Sequence, residues 1–351
     1  MDGIIINKME FYSKKNVLIT GGASFIGSHL AELLLSYGAK VRILDNLSSG
    51  STDNLGESIK DLQLIEKDVR ESTDTRKYYN NIDIVFNLAA QHGGRGFIET
   101  HPVECLNNML LDNVVFDNCI KNNVKHIVHA SSACVYPINL QSSEDQRNYL
   151  KEEDANFETP GDAFPDGAYG WAKLMGELQL SNYVKQYGIS GTSARIFTAY
   201  GERENESHAV IALIAKAILK LDPYPVWGNG QQTRNFTYVQ DTVKGLALCG
   251  SRDENESYEV FNIGSVKHET VEELYTNIFE ILDWTPSNFD FQLDKPVGVK
   301  SRASDNTKIT NEFSWEPDIS LSDGLKNTIE WYLSNIKKVD LNKLEDLLME
   351  R

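Results

Sequence analysis

Apolar positions along the chain alternate between short continuous runs and stripes of helical spacing. Asn16-Val17-Leu18-Ile19-Thr20 is a β-rich run, followed by Gly21-Gly22-Ala23-Ser24-Phe25-Ile26-Gly27. Ile26, Leu30, Leu33, Leu34 and Tyr37 then recur at helical spacing until Gly38 ends the stripe. Val41-Arg42-Ile43-Leu44 is a second strand, finishing at Asp45. The same reasoning predicts strands at 62–65, 82–90, 125–130, 193–197 and 261–264. It predicts helices over 102–122, from 169, over 205–221, from 241, over 271–282 and over 325–336. Residues 1–13 lack periodicity and read as an extension. Residues 138–168, with Glu144, Asp145, Glu152, Glu153 and Asp154, read as a solvated flap. The tail 337–351 carries Leu341, Leu344, Leu347 and Leu348 and reads as an amphipathic helix.

Strand and helix alternate strictly as far as about residue 200 and less regularly beyond Gly201. The implied fold is α/β: a Rossmann-type, doubly wound parallel sheet with a smaller α/β substrate-binding lobe. The first domain would span 14–200 with a return segment at about 235–262, and the second lobe 201–234 and 263–336. The order of strand, glycine turn, helix, strand and acid is a dinucleotide-binding βαβ unit. Its glycines let the backbone approach a pyrophosphate at a helix N-terminus. Asp45 stands where a carboxylate binds both ribose hydroxyls and repels a 2′-phosphate, which favours NAD over NADP. Ser24 occupies a position where glycine is usual. Asp68 reads either as an acceptor for the adenine amino group or as a solvated loop acid. Gly93, Gly94 and Arg95 offer backbone amides and a cation for a diphosphate or sugar.

Composition removes other classes. A net charge of −17 argues against a nucleic-acid partner and leaves an anionic ligand to local cations and amides. Cys105, Cys119, Cys134 and Cys249 show no metal-site or disulfide spacing, so reduced thiols and no metal are expected. No apolar run is long enough to span a membrane and the N-terminus lacks a signal pattern, so the cytoplasm is the expected compartment.

Tyr169 and Lys173 are four apart and share a helix face. A lysine ammonium one turn away favours the phenolate, making Tyr169 a candidate base for a sugar hydroxyl; the same spacing also describes an ordinary surface pair. Ser132 and Cys134 follow a strand end, where open α/β sheets bind ligands. The combination resembles the extended short-chain dehydrogenase/reductase family of nucleotide-sugar epimerases and dehydratases over roughly residues 15–335. The resemblance rests on Thr20-Gly21-Gly22-x-x-Phe25-Ile26-Gly27, Asp45-Asn46-Leu47, Asn87-Leu88-Ala89-Ala90, Ser131-Ser132 and Tyr169-x-x-x-Lys173. It rests also on Gly228-x-Gly230-x-Gln232-x-Arg234 and Arg302-x-x-Asp305.

The resemblance implies NAD held by Gly21, Ser24, Phe25, Ile26, Gly27, Asp45, Asn46, Asp68, Val69, Leu88, Ala89 and Ala90. It implies Tyr169 as base, Lys173 lowering its pKa and holding the nicotinamide ribose, and Ser132 orienting the sugar. Arg234 and Arg302 fit as diphosphate ligands. Thr198 stands where the family usually has Asn. The implied assembly is a homodimer through helices near 102–122 and 169–187.

Ala133-Cys134 replaces the Asp-Glu pair of 4,6-dehydratases, which disfavours dehydration. Cys134-Val135-Tyr136-Pro137 looks like GDP-mannose 3,5-epimerase and GDP-fucose synthase, whose Cys is one acid/base. His208 matches the His that is the second in GDP-fucose synthase, while Gly93-Gly94-Arg95-Gly96-Phe97-Ile98 looks more like GDP-mannose 3,5-epimerase. The expectation is an NAD-dependent epimerase acting at C3 and/or C5 of a GDP-hexose such as GDP-mannose. Alternatives are a UDP-sugar 4-epimerase of galactose or uronic acid type, a dehydratase, and a non-catalytic sugar-nucleotide sensor. Cys134 also reads as a small core residue and His208 as a surface residue at a helix entry.

Overall fold

The computed structural model describes residues 8–143, 147–157, 163–252 and 257–335. Glu144 and Asp145 of the expected flap and the whole 337–351 tail lie outside the described residues. Seven strands form one sheet: β1 (Asn16–Thr20), β2 (Lys40–Asp45), β3 (Gln63–Glu66), β4 (Ile84–Asn87), β5 (His126–Ser132), β6 (Ser190–Ile196) and β7 (Glu259–Ile263). Their spatial order is β7-β6-β5-β4-β1-β2-β3, and every pairing is parallel. The order reverses between β1 and β4, where both neighbours pair with Val17, one through Val41 and the other through Ile84. Such a reversal opens a crevice beyond the carboxyl ends of the strands.

β1 is continuously apolar because both its faces are covered. Val17 and Ile19 point into one core with Leu30 and Leu34 of α1 (Phe25–Ser36). Leu18 points into the other, with Val115 and Phe116 of α2 (Asn108–Lys121) and Leu180 of α3 (Gly167–Tyr187). The first core continues into the second lobe through Ile214 of α4 (Ala209–Ile218) and Leu246 of α5 (Val239–Gly250), reaching Tyr224 and Leu274. The second lobe replaces the large sheet with two-stranded pairs. Tyr224–Trp227 runs parallel to Phe289–Gln292, and Thr233–Arg234 runs antiparallel to Glu269–Thr270.

Three expectations are corrected. Residues 8–15, ahead of β1, are packed onto the body: Met9 and Tyr12 are buried, and the Tyr12 hydroxyl donates to the Ala247 carbonyl at 2.5 Å. The single helix expected over 102–122 is two, Pro102–Leu106 and α2, and a further short helix, Arg95–Thr100, precedes them. His101 leaves helical geometry (φ −125°, ψ 54°) because the residue before a proline is disfavoured there. The flap is in part structural. Leu150 and Ala155 are buried, Tyr149–Leu150 pairs with Ala303–Ser304, and the Asn262 backbone amide donates to the Glu152 carboxylate at 2.8 Å. No helix among the described residues is long and apolar enough to cross a membrane, and no cluster of metal-ligating side chains occurs among them.

Candidate active site

The glycine turn leaves β1 at Gly21, whose φ is +70° and whose Cβ would lie 2.9 Å from the Ala89 amide. A side chain at Gly27 would overlap the Gly21 carbonyl. Ser24 caps α1 and its hydroxyl donates to the Gly21 carbonyl at 2.6 Å, so the serine closes the turn that a glycine usually makes. Asp45 is buried and braces the same turn, accepting from the amides of Ala23 (2.9 Å) and Leu47 (2.8 Å). Each carboxylate oxygen keeps a further lone pair for a hydroxyl. A helix N-terminus behind a glycine turn, with an acid at the next strand end, fits the dinucleotide NAD.

Asp68 is already engaged, paired with Arg70 at 2.6 Å and accepting from Asn46 Nδ2 at 3.0 Å. The Arg70 hydrogen bond holds its carboxyl down at about 2. Val69 is buried in the core that contains Leu18. Gly21, Gly27, Asp45, Asn46, Asp68, Val69 and Ala89 lie outside the lining of the main cleft. Ser24, Phe25, Ile26, Leu88 and Ala90 form its cofactor-side wall.

That cleft has a volume of about 470 Å³ and brings together Ser132, Cys134, Tyr169, Lys173, His208, Gly93, Gly94, Arg95, Thr198, Arg234 and Arg302. Ser132 ends β5, and its hydroxyl accepts from the Cys134 amide at 3.1 Å and hydrogen-bonds the Tyr169 phenol. Lys173 donates to the Ala130 carbonyl at 2.8 Å and stands 5.9 Å from the centre of the Tyr169 ring. Burial pushes the Tyr169 phenol well above its ordinary range, with Cys134, Cys105 and Asp112 adding to it and the Ser132 bond opposing. Burial likewise depresses the Lys173 ammonium, against the attraction of Asp112 and Glu177. Within the protein alone the Lys173 ammonium is turned to a carbonyl, and burial sets the direction of the phenol's shift.

On the facing wall Arg95, Arg234 and Arg302 converge. Asp166, just ahead of α3, accepts from Arg95 at 3.0 Å and from Arg302 at 3.1 Å. Burial pushes its carboxyl up, but Arg302 and Arg95 prevail and hold it below the ordinary range. Arg302 also donates to Gln141 Oε1 (2.6 Å) and to Cys134 Sγ (3.5 Å). Arg234 donates to the carbonyls of Thr233 (2.7 Å) and Val297 (2.8 Å) and forms no ion pair among the described residues. Burial and then the nearby Arg302 push it down to about 9. Arg95 and Arg302 thus share Asp166 while Arg234 is bonded to carbonyls, a local surplus of positive charge that suits an anion.

His208 caps α4, and its Nδ1 lies 3.1 Å from Glu204 Oε1. The His92 ring stands 5.1 Å from the His208 ring and 5.0 Å from the Tyr169 ring, bridging the two. Desolvation by the cleft walls, with His208 and Lys173 nearby, keeps His92 below the usual imidazole range. A side chain at Gly94 would overlap the Ser207 carbonyl, so the 91–96 loop seats directly on the entry to α4. Asp166 and Glu204 escape sequence reasoning because each stands among other acids and only its distant partners single it out. His92 is visible only as part of a glycine-rich loop.

Residues 17–264 match the family described as NAD dependent epimerase/dehydratase family. The chain is 33% identical over 331 residues to GDP-mannose 3,5-epimerase 1 of Oryza sativa subsp. indica, covering 93% of this chain and 83% of that one. Among solved structures it resembles UDP-glucose 4-epimerase of Thermotoga maritima with UDP-glucose (TM-score 0.79, 27% identity, 92% of this chain and 99% of that chain). It also resembles UDP-glucuronic acid 4-epimerase of Bacillus cereus in complex with UDP-glucuronic acid and NAD (TM-score 0.80, 27% identity, 91% and 99%). With its reversing seven-stranded sheet, glycine turn and Ser-Tyr-Lys cleft, the chain belongs to the NAD-dependent epimerase/dehydratase family of nucleotide-sugar enzymes, and NAD is its cofactor.

Proposed function

We propose that the protein is an epimerase acting at C3 and/or C5 of a GDP-hexose, GDP-mannose being the model substrate. The observation that carries this reading is that Cys134 and His208 line the same cleft as Ser132, Tyr169 and Lys173. The similarity to a rice GDP-mannose 3,5-epimerase supports it. When bound at the Gly21–Gly27 turn and Asp45, NAD would supply reversible hydride transfer at C4. Tyr169 accepts the C4 hydroxyl proton and later gives it back, while Ser132 holds that hydroxyl in line. The C4 ketone acidifies the hydrogens on C3 and C5, so one group removes a proton from one ring face and another delivers one to the opposite face. Cys134, whose Sγ accepts from Arg302, serves one face. His208 serves the other. Arg234 is the candidate diphosphate anchor, with Arg95 and the Gly93-Gly94 amides at the sugar end.

A second reading is a UDP-sugar 4-epimerase, favoured by the likeness to the Thermotoga and Bacillus structures. A panel of GDP- and UDP-sugars in D2O, followed by NMR and mass, separates the two. The first reading expects deuterium at C3 or C5, and Cys134→Ala should reduce that exchange about 10²–10⁴-fold, the usual worth of an acid/base group. Epimerised product without deuterium, made unchanged by Cys134→Ala, would establish the second. Exposed Val103 (65%), Leu110 (61%) and Tyr187 (54%) on the helices expected to meet in a homodimer support that assembly. Sedimentation of the holoenzyme tests it.

A further inference from the structure

We infer that Glu204 is the positioning residue for His208: its carboxyl occupies Nδ1, so that Nε2 is the ring atom presented to the sugar. This deepens the proton-exchange reading and rests on it. Glu204 lies one turn ahead of His208, at the entry to α4, with its side chain only 3% exposed. One oxygen, Oε1, meets Nδ1 at 3.1 Å, while the other, Oε2, is buried with no hydrogen-bond partner. A carboxyl near a helix start ordinarily caps backbone amides or complements the helix dipole from solvent. Glu204 does neither for α4, whose first turn holds no acid and whose cap makes no side-chain bond. The carboxyl is turned to the imidazole instead.

The chemistry of the pair follows from its burial. A carboxyl shut away from water disfavours a lone negative charge, and only a backbone bond at Gly201 opposes this. At 3.1 Å, Oε1 is within hydrogen-bonding distance of Nδ1 and engages that nitrogen. An imidazole whose Nδ1 is so occupied can act only through Nε2, which is how a carboxylate fixes the working nitrogen of a histidine elsewhere. The ring is also walled in. His92 faces it at 5.1 Å with a 40° tilt, and the Gly94 backbone seats against Ser207 behind it. Glu204 removes the remaining freedom, a half-turn of the imidazole that would exchange its two nitrogens.

Nitrogen-15 NMR of histidine side chains in NAD-saturated enzyme tests this directly. His208 is assigned by its loss in His208→Gln. In wild type it should show one tautomeric arrangement, with Nδ1 hydrogen-bonded. In the isosteric Glu204→Gln variant the signals should shift toward a mixture, and deuterium entry at the sugar carbon should fall about 10–100-fold, the usual worth of an outer partner. NAD affinity should be unchanged. A mixed-tautomer spectrum in wild type would overturn the inference, and so would an unchanged His208 spectrum or exchange rate in Glu204→Gln. If wild type exchanged no deuterium with any sugar, the proton-exchange reading would fall, and the wild-type nitrogen spectrum would still decide the Glu204 pairing without any variant.

Discussion

Among the described residues, the arginine–carboxylate cluster behind the β5–β6 strands differs from the one in the cleft. Arg195 and Glu177 are nearly inaccessible (side chains 2% and 1% exposed) and meet through two parallel bonds of 2.9 and 2.8 Å. Every remaining group there is engaged: Arg195 also donates to the carbonyls of Glu152 and Ala155, and Ser131 donates to Glu177. The cluster is closed and electrically balanced. The cleft cluster has Arg95, Arg234 and Arg302 around Asp166, and Arg95 also reaches Glu99 at the exposed rim. The difference teaches how to tell a brace from a binding site. Matched charges with saturated bonds hold a fold, whereas surplus charge that hydrogen-bonds only to carbonyls awaits a ligand.

The largest effect should come from the closed cluster. Glu177→Gln leaves a buried guanidinium without its counter-charge and should cost about 3–5 kcal/mol of stability. Urea unfolding reads this, and a loss below about 1 kcal/mol, the worth of a surface pair, would erase the distinction. Asp166→Asn should cost less, about 1.5–3 kcal/mol at pH 7, the worth of charged hydrogen bonds, since its arginines keep other acceptors. Its pH dependence sharpens the comparison. The folded carboxyl is held below its unfolded value of 3.8, so its stabilisation is complete above that value and disappears as pH falls through the lower, folded one. Melting curves of wild type and Asp166→Asn should thus converge only below pH 3.8. Arg234→Met should barely change the melt, since it removes one of three like charges. It should weaken GDP or UDP binding about 10–100-fold, as expected for charged hydrogen bonds and read by calorimetry. A melt that collapses in Arg234→Met would place this arginine with the braces.

How much of this was legible follows from distance along the chain. The glycine turn, α1 and Asp45 could be read because the βαβ unit is a local object whose chemistry fits within one stretch. Tyr169 and Lys173 could be paired because a helix makes four residues a neighbour distance. The direction of the Lys173 ammonium could not, since it depends on the Ala130 carbonyl of another element. Asp166 was hidden within an acid-rich segment because its arginines lie 71 and 136 residues away. Gly94 read as part of a ligand loop, and it is also the cap from which the Arg95–Thr100 helix starts. The Leu150 and Ala155 contacts under the flap were likewise invisible, since a polar stretch gives no sign of which few residues turn inward.

Gly94 has a consequence for how the enzyme could change over time. The hydrogen in place of its side chain is the only spacer between the 91–96 loop and the carbonyl of Ser207, which are 113 positions apart in the chain. Even alanine would overlap that carbonyl, with its Cβ only 1.7 Å from the oxygen. Change at this position is thus opposed from the first methyl group, whereas Thr198, which lines the same cleft, already carries a side chain there.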